Sequence, residues 1–420
     1  MTGKAFRGLD PCVHCGFCLQ NCPTYRETNI EGESPRGRIL LMRGVERGTL
    51  KITEPELAYH LDRCLGCRSC EPVCPSGVKY GGALEATRDL LSEVRPTPLA
   101  ARVINAVMAE GMLRKPLLML ARMVRPFATM ASGKSQLGFL FGMLAATRPW
   151  SAPDGFEGGA GLPVPPSSSS ETESGPSVAL FEGCVMSGLM SHVHAATVRT
   201  LTANGFDVRS VSGQACCGAL HAHAGQREQA MELARQNVAA FGEEPDSIIA
   251  VNSAGCGAML KEYGQLLAGD PLEHDAIALA ARVRDVSELL AERGPRKGKP
   301  VKIKVAYDPP CHLLHAQGIS DAPLAILSAV PGLERVHHVD AEMCCGSAGS
   351  FSFTQSELSR SVLDKKVRAL VAADPDIVAT GNPGCIMQIG AGFAAAGRKV
   401  AVVHPVEILD RSYARAGYYD

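Results

Sequence analysis

Apolar positions along the chain follow two periodicities, and the change from one to the other divides it. Over the first 150 residues they recur at helical spacing. Ser34 and Pro35 form an N-cap and first-turn pair, and Ile39, Leu40, Leu41, Met42 and Val45 follow, so a helix is predicted to about residue 46 with Gly48 as its stop. A second helix is expected from about Glu54 to Asp62, and a third over 83–94 (ALEATRDLLSEV), ended by Pro96 and Pro98. Residues 98–150 form a separate helical segment. On a helical wheel Leu113, Leu117, Leu120 and Val124 share one face, and Arg114, Lys115, Arg122 and Arg125 gather on the other. Two settings suit that pattern: a helix packed on its own protein with a solvated basic face, or one laid on an anionic membrane surface.

The periodicity then stops. Residues 151–177 (SAPDGFEGGAGLPVPPSSSSETESGPS) are dominated by glycine, proline and serine, and a disordered linker is expected there. Beyond it, short β-branched runs alternate with helical stretches. The runs are VALF (178–181), FDVRSV (206–211) and SIIAVN (247–252), then KIKVAY (302–307), RVHHV (335–339) and DIVAT (376–380). Helical patterns over 227–241 and 356–372 stand between them. This alternation predicts parallel sheets.

The second half is also an internal duplication. Cys184, Cys216, Cys217 and Cys256 recur as Cys311, Cys344, Cys345 and Cys385, at offsets of 127, 128, 128 and 129 residues. The predicted fold class is therefore α + α/β: an N-terminal α-helical module, then a pseudo-twofold duplicated α/β Cys-Cys-Gly domain. The expected boundaries are 1–97, 98–150, 151–177, 178–300 and 301–420.

Composition narrows the function. Formal charge is 42 − 43 = −1, which gives no reason to expect nucleic acid as a partner. Sixteen cysteines are many for 420 residues. The N-terminus MTGKAFRGLDPC has no apolar signal core, and no stretch approaches the ~20 apolar residues that cross a bilayer. The expectation is a reducing cytoplasmic setting, with any membrane association peripheral.

Half of the cysteines fall in two runs, CVHCGFCLQNCP (12–23) and CLGCRSCEPVCP (64–75). Each is Cys-x2-Cys-x2-Cys-x3-Cys-Pro, the spacing with which one loop grips a 4Fe-4S cluster, and in paired runs the fourth cysteine serves the other cluster. The expected ligand sets are Cys12, Cys15 and Cys18 with Cys74, and Cys64, Cys67 and Cys70 with Cys22. The other eight all lie on the duplicated unit, in loops after predicted strands, where open α/β sheets place ligands. They are candidates for a further cluster or a structural site. Arg63 and Arg68 flank the second run and are placed either to raise a cluster potential or simply to face water. No glycine-rich dinucleotide fingerprint follows a strand; GFEGGAG (155–161) sits in the linker.

With these residues in view, the sequence resembles the iron–sulfur subunit family of glycolate oxidase (glycolate dehydrogenase) over nearly its whole length. The matching stretches include PRGRI, HLDRCLGCRSCEPVCPSGVKY, SAGCGAMLKEYGQ and MCCGSAGS. The wider relatives are the iron–sulfur subunits of anaerobic glycerol-3-phosphate dehydrogenase, lactate-utilisation complexes and heterodisulfide reductase. The resemblance implies an electron-transfer subunit with no catalytic residues of its own. Electrons would come from FAD on partner dehydrogenase subunits, where glycolate becomes glyoxylate, and leave toward a quinone or other membrane acceptor. It implies a peripheral place on the cytoplasmic face of the inner membrane. The alternatives are a subunit of a lactate or glycerol-3-phosphate dehydrogenase, or a heterodisulfide-reductase-like catalytic subunit. In heterodisulfide reductase each unit has a fifth cysteine; Ser253 and Asn382 stand at those positions here. His312, beside Cys311, is a candidate substitute ligand, or a capping or core residue.

Overall fold

The structure is a computed structural model that describes residues 6–109, 111–151 and 175–419. The expected linker therefore lies outside the described residues except at its two ends, and Ser177 already belongs to the first strand.

The N-terminal module is helical, as expected. It comprises α1 (Pro23–Thr28), α2 (Pro35–Glu46), α3 (Pro55–Asp62) and α4 (Tyr80–Val94). Ser34 caps α2 by accepting from Gly37 N at 2.9 Å, and Pro35 occupies the first turn. Helix α4 starts at Tyr80, three residues earlier than its sequence pattern suggests. The Glu71 carboxylate accepts from Gly81 N at 2.8 Å, so an anion steadies the amide end of a turn that contains two glycines. The module closes over its own core of Phe6, Leu9, Met42, Leu57, Leu61 and Leu84.

Next come α5 (Leu99–Ala109), α6 (Gly111–Ala131) and α7 (Gln136–Ala145). In α6 the two faces lie opposite to the packed setting. Leu113, Leu117, Leu120 and Val124 are exposed, while Leu118 and Ala128 are buried. Arg114 and Arg125 turn toward the protein, where backbone carbonyls accept from them: Met108 O at 2.9 Å for Arg114, and Thr147 O at 2.9 Å and Leu189 O at 3.1 Å for Arg125. Lys115 and Arg122 of the basic face stay exposed, so the carbonyls draw in only Arg114 and Arg125.

Each half of the duplication holds a four-stranded parallel sheet. The first contains β1 (Ser177–Phe181), β2 (Asp207–Ser210), β3 (Ile248–Val251) and β4 (Val283–Asp285), in the order β2-β1-β3-β4. The second contains β5 (Ile303–Tyr307), β6 (Leu333–Val336), β7 (Ile377–Ala379) and β8 (Ala401–Val403), in the matching order β6-β5-β7-β8. Strands β4 and β8 are three residues each, too short to register as a pattern. RVHHV is a strand only at its start: His338 leaves β6 and turns its ring inward, 3.4 Å from Asp308 Oδ1.

The two repeats share one core, which joins Val178, Leu180 and Ala250 of the first to Val305, Val378 and Ile389 of the second. The buried Arg199–Asp410 pair, at 2.7 Å, bridges α8 (Ser191–Ala203) and α9 (Pro405–Arg415). Helix α7 lies against the helix Pro383–Ala395 at close range. A Cβ on Gly142 would stand 3.1 Å from Ala391 Cα, so only a glycine fits that approach without a shift.

Candidate iron–sulfur centres

Each N-terminal run curls by alternating left-handed residues. His14 (φ 54°) and Gly16 (φ 89°) alternate with the first three cysteines, and Gly66 (φ 63°) and Arg68 (φ 61°) do the same in the second run. Two reversals in seven residues turn three thiols to one side of a loop, which extended or helical backbone does not do. The trailing proline starts a helix in the first run, with Cys22 at its N-cap.

The structure gathers cysteines of both runs at one cavity. Cys12, Cys15, Cys18 and Cys74 line a single cavity, which Cys70, Ile39 and Tyr80 help to close. Cys15 is exposed, and its neighbours Val13 and Phe17 project into solvent at 70% and 68% exposure. The first set is thus the surface end of the module. The second set is interior: Cys22, Cys64 and Cys67 are buried, and Asn21 O accepts from Ser69 Oγ at 2.6 Å, which ties the first run to the second.

Polar groups surround sulfur in the second set, with an amide and a phenol donating to Cys64. Gly66 N is 3.4 Å and Tyr80 Oη 3.6 Å from Cys64 Sγ; Ser69 Oγ is 3.4 Å from Cys67 Sγ, and Thr24 Oγ1 is 3.4 Å from Cys22 Sγ. Burial pushes Cys64 up, but Arg38 and Arg88, with the Gly66 and Tyr80 donors, hold it below the usual thiol value. Burial pushes Cys18 up to about 11 and raises Cys67 and Cys70 too. Buried sulfurs with aimed donors and adjacent cations fit an anionic cluster held by thiolates.

Arg38 is the functional residue that sequence reading missed. It is fully buried on α2, and it donates from Nε to His60 O at 2.8 Å and from Nη1 to Thr24 Oγ1 at 3.0 Å. Its Nη2 is buried without a hydrogen-bond partner among the described residues, and its charge acts on Cys64 and Cys22, one from each run. The signal was available as the second Arg of PRGRI, an arginine on the apolar side of an amphipathic helix. Arg63 and Arg68 are committed elsewhere. Arg63 pairs with the buried Glu33, and Arg68 with Glu71 and with Glu262 of the first repeat. Carboxylates therefore already balance both of these charges.

In the repeats, cysteines sit past the C-terminal ends of strands, as expected. Cys184 Sγ and Cys216 Sγ are 3.4 Å apart, as are Cys217 Sγ and Cys256 Sγ; Cys311 Sγ and Cys344 Sγ are 3.9 Å apart. All are free thiols. The repeats differ in what they touch. Cys67 of the second N-terminal run packs in one cluster with Leu65, Cys344 and Phe351, and Cys311 borders it. The first quartet packs within its own repeat and against α5. Asn382 fills the fifth-cysteine position with hydrogen bonds: Nδ2 donates to Cys385 Sγ at 3.5 Å and Oδ1 accepts from Gly255 N at 3.1 Å. His312 is half-buried in a short π-turn, with Nδ1 3.6 Å from Cys311 Sγ and its ring packed on His223; desolvation lowers it to about 3. It caps no helix.

Paired cysteine loops docked on a duplicated cysteine-rich α/β fold define a dicluster iron–sulfur protein of the electron-transfer class. Residues 8–78 match the family described as 4Fe-4S dicluster domain, and 178–261 and 305–390 each match the cysteine-rich domain family. The chain is 34% identical to the probable glycolate oxidase iron–sulfur subunit of Bacillus subtilis, over 95% of this chain and 92% of that protein. It is also 34% identical to the glycolate oxidase iron–sulfur subunit of Escherichia coli, over 96% and 94%. Lactate utilization protein A of Geobacillus kaustophilus is 32% identical, over 56% of this chain and 98% of that protein. The chain belongs to the family of glycolate oxidase iron–sulfur subunits.

Proposed function

We propose that the chain is the electron-transfer subunit of a complex that oxidises glycolate to glyoxylate, with FAD and substrate on partner subunits and a quinone-type acceptor beyond. The observation that carries this reading is the end-to-end likeness to glycolate oxidase iron–sulfur subunits, with cysteines of both runs gathered at one cavity. The lactate relative aligns with only 56% of the chain, which favours glycolate over lactate.

When bound, 4Fe-4S clusters take and give electrons singly, which divides the pair that a flavin receives as a hydride. The chain's own residues do the rest. Cys12, Cys15, Cys18 and Cys74 hold the exposed site, where Val13 and Phe17 offer a partner an apolar contact. Cys64, Cys67, Cys70 and Cys22 hold the interior one, from which Leu65 and Tyr80 exclude water. Cys311, Cys344, Cys345 and Cys385 adjoin that interior set and are the candidate third cluster site; Cys184, Cys216, Cys217 and Cys256 are their structural counterpart. No helix among the described residues is long and apolar enough to cross a membrane. A peripheral position on the cytoplasmic face of the inner membrane completes the reading.

The test is iron and sulfide per chain, with electron paramagnetic resonance of the assembled complex. About eight irons are expected for the N-terminal sites and about twelve with the third, at ~4 per cubane. Glycolate should reduce the clusters. Full iron loading with no reduction by glycolate, but reduction by lactate, overturns the substrate assignment.

A further inference from the structure

Helix α6 carries an unpartnered surface of unusual make-up. Six of its side chains, Met112, Leu113, Leu120, Met123, Phe127 and Met130, point into solvent, with Met112 91% and Met130 87% exposed. At 21 residues the helix is about 31 Å long, so the stripe runs along one whole side of it. Soluble monomers rarely leave so much contiguous apolar surface open.

We propose that this face lies on an anionic lipid surface, with the helix axis in the membrane plane and its methionine and phenylalanine side chains among the acyl chains. The proposal rests on the peripheral placement given above and names the surface responsible. Three observations favour lipid over a protein partner. Between residues 112 and 128 the helix carries no hydroxyl, amide or acidic side chain. A protein interface needs about one hydrogen bond per 100–200 Å², whereas acyl chains ask for none. Next, the exposed cations Arg102, Lys115 and Lys134 have no acidic side chain beside them among the described residues of 99–151, which suits anionic headgroups. Finally, the apolar surface continues through Leu99 and Val103 of α5. Their neighbours Pro98, Ala100 and Ala101 line a cavity of about 220 Å³ that Cys64 also lines.

Flotation of the cluster-loaded full chain with vesicles tests this. Vesicles of phosphatidylglycerol and phosphatidylcholine should carry the chain upward, at least tenfold more of it than phosphatidylcholine alone. Leu120→Glu and Phe127→Glu alter exposed side chains. Each should cut the vesicle-bound fraction at least tenfold with iron content and elution volume unchanged; the milder Leu120→Ser serves if either misfolds. Failure to bind either vesicle, or variants that bind as well as the parent, overturns the proposal. So does loss of flavoprotein subunits from the variants with vesicle binding intact, which assigns the face to a protein. Reduction of the clusters by glycolate needs no vesicle, so failure of the membrane proposal leaves the electron-transfer reading standing.

Discussion

A single buried guanidinium distinguishes the two N-terminal sites. Arg38 faces ligands of the interior set with one nitrogen unpaired, whereas Arg36, beside the first loop, is balanced by Glu31 at 2.7 Å. A fixed cation stabilises the reduced, more negative cluster and so raises its potential. Arg38→Met should lower the midpoint of one cluster and spare the other. A tenfold fall in its reduced-to-oxidised ratio at fixed potential corresponds to 59 mV for one electron. Arg38→Lys should recover most of the shift. Unchanged midpoints with full iron would reduce Arg38 to a packing role. Cys15→Ser should erase one four-iron signal and leave the other, as redox-dye titration followed by paramagnetic resonance can show. At this scale the sequence was most legible where chemistry demands spacing: Cys12, Cys15, Cys18 and Cys74, grouped by their order, line one cavity. It was least legible for Arg38, because a buried arginine and an exposed one look alike until α2 is seated against His60 and Thr24.

Long helices were the most legible elements, and of the three-residue strands only β7 was foreseen, inside DIVAT. The helices over 35–46 and 356–372 match their patterns end to end, while β4 and β8 carry too few residues to show one. Orientation was a separate matter, since the wheel of α6 shows two faces and says nothing of which one meets the protein. Another element has a pH signature. Asp285 ends β4 and caps the helix Val286–Arg293 by accepting from Ser287 N at 2.9 Å. Burial pushes its carboxyl up to about 6, with Glu288 raising it further while Ser287 and Lys261 oppose. An unfolded aspartate titrates near ~3.9, so between about pH 4 and pH 6 the folded chain holds the extra proton. Stability is therefore lost as the pH rises through that window, on the order of 2–3 kcal/mol. Asp285→Asn keeps the cap and removes the titration. Its unfolding midpoint, relative to the parent, should be higher at pH 7 than at pH 5; an equal difference at both would refute the assignment.

At the scale of the molecule the duplication is symmetric in topology and asymmetric in use. Both sheets share one strand order, yet only the second repeat brings cysteines against the N-terminal ligands. The offsets of 127–129 made the repeat visible in the sequence. Nothing in either copy announced which one's cysteines would meet the interior ligands, because that depends on long-range pairs such as Arg26 with Asp340 and Lys365 with Glu27, across more than 300 residues. Cys344→Ser should remove about four irons per chain if the second quartet holds a cluster, and Cys216→Ser should leave iron unchanged. Equal losses from both would make the repeats equivalent.

The contact between Cys67 and Cys344 also sets an order of manufacture. The residues that cover the interior ligands leave the ribosome 344 − 67 = 277 positions after them. At ~5–20 residues per second that is a delay of roughly 15–55 s, during which the interior thiols stand open to whatever delivers iron. A chain completed without metal loses that opening, while its exposed loop around Cys15 keeps one. Purified metal-free protein given iron and sulfide should accordingly fill its outer site first and its inner site late, two signals growing in at separate rates.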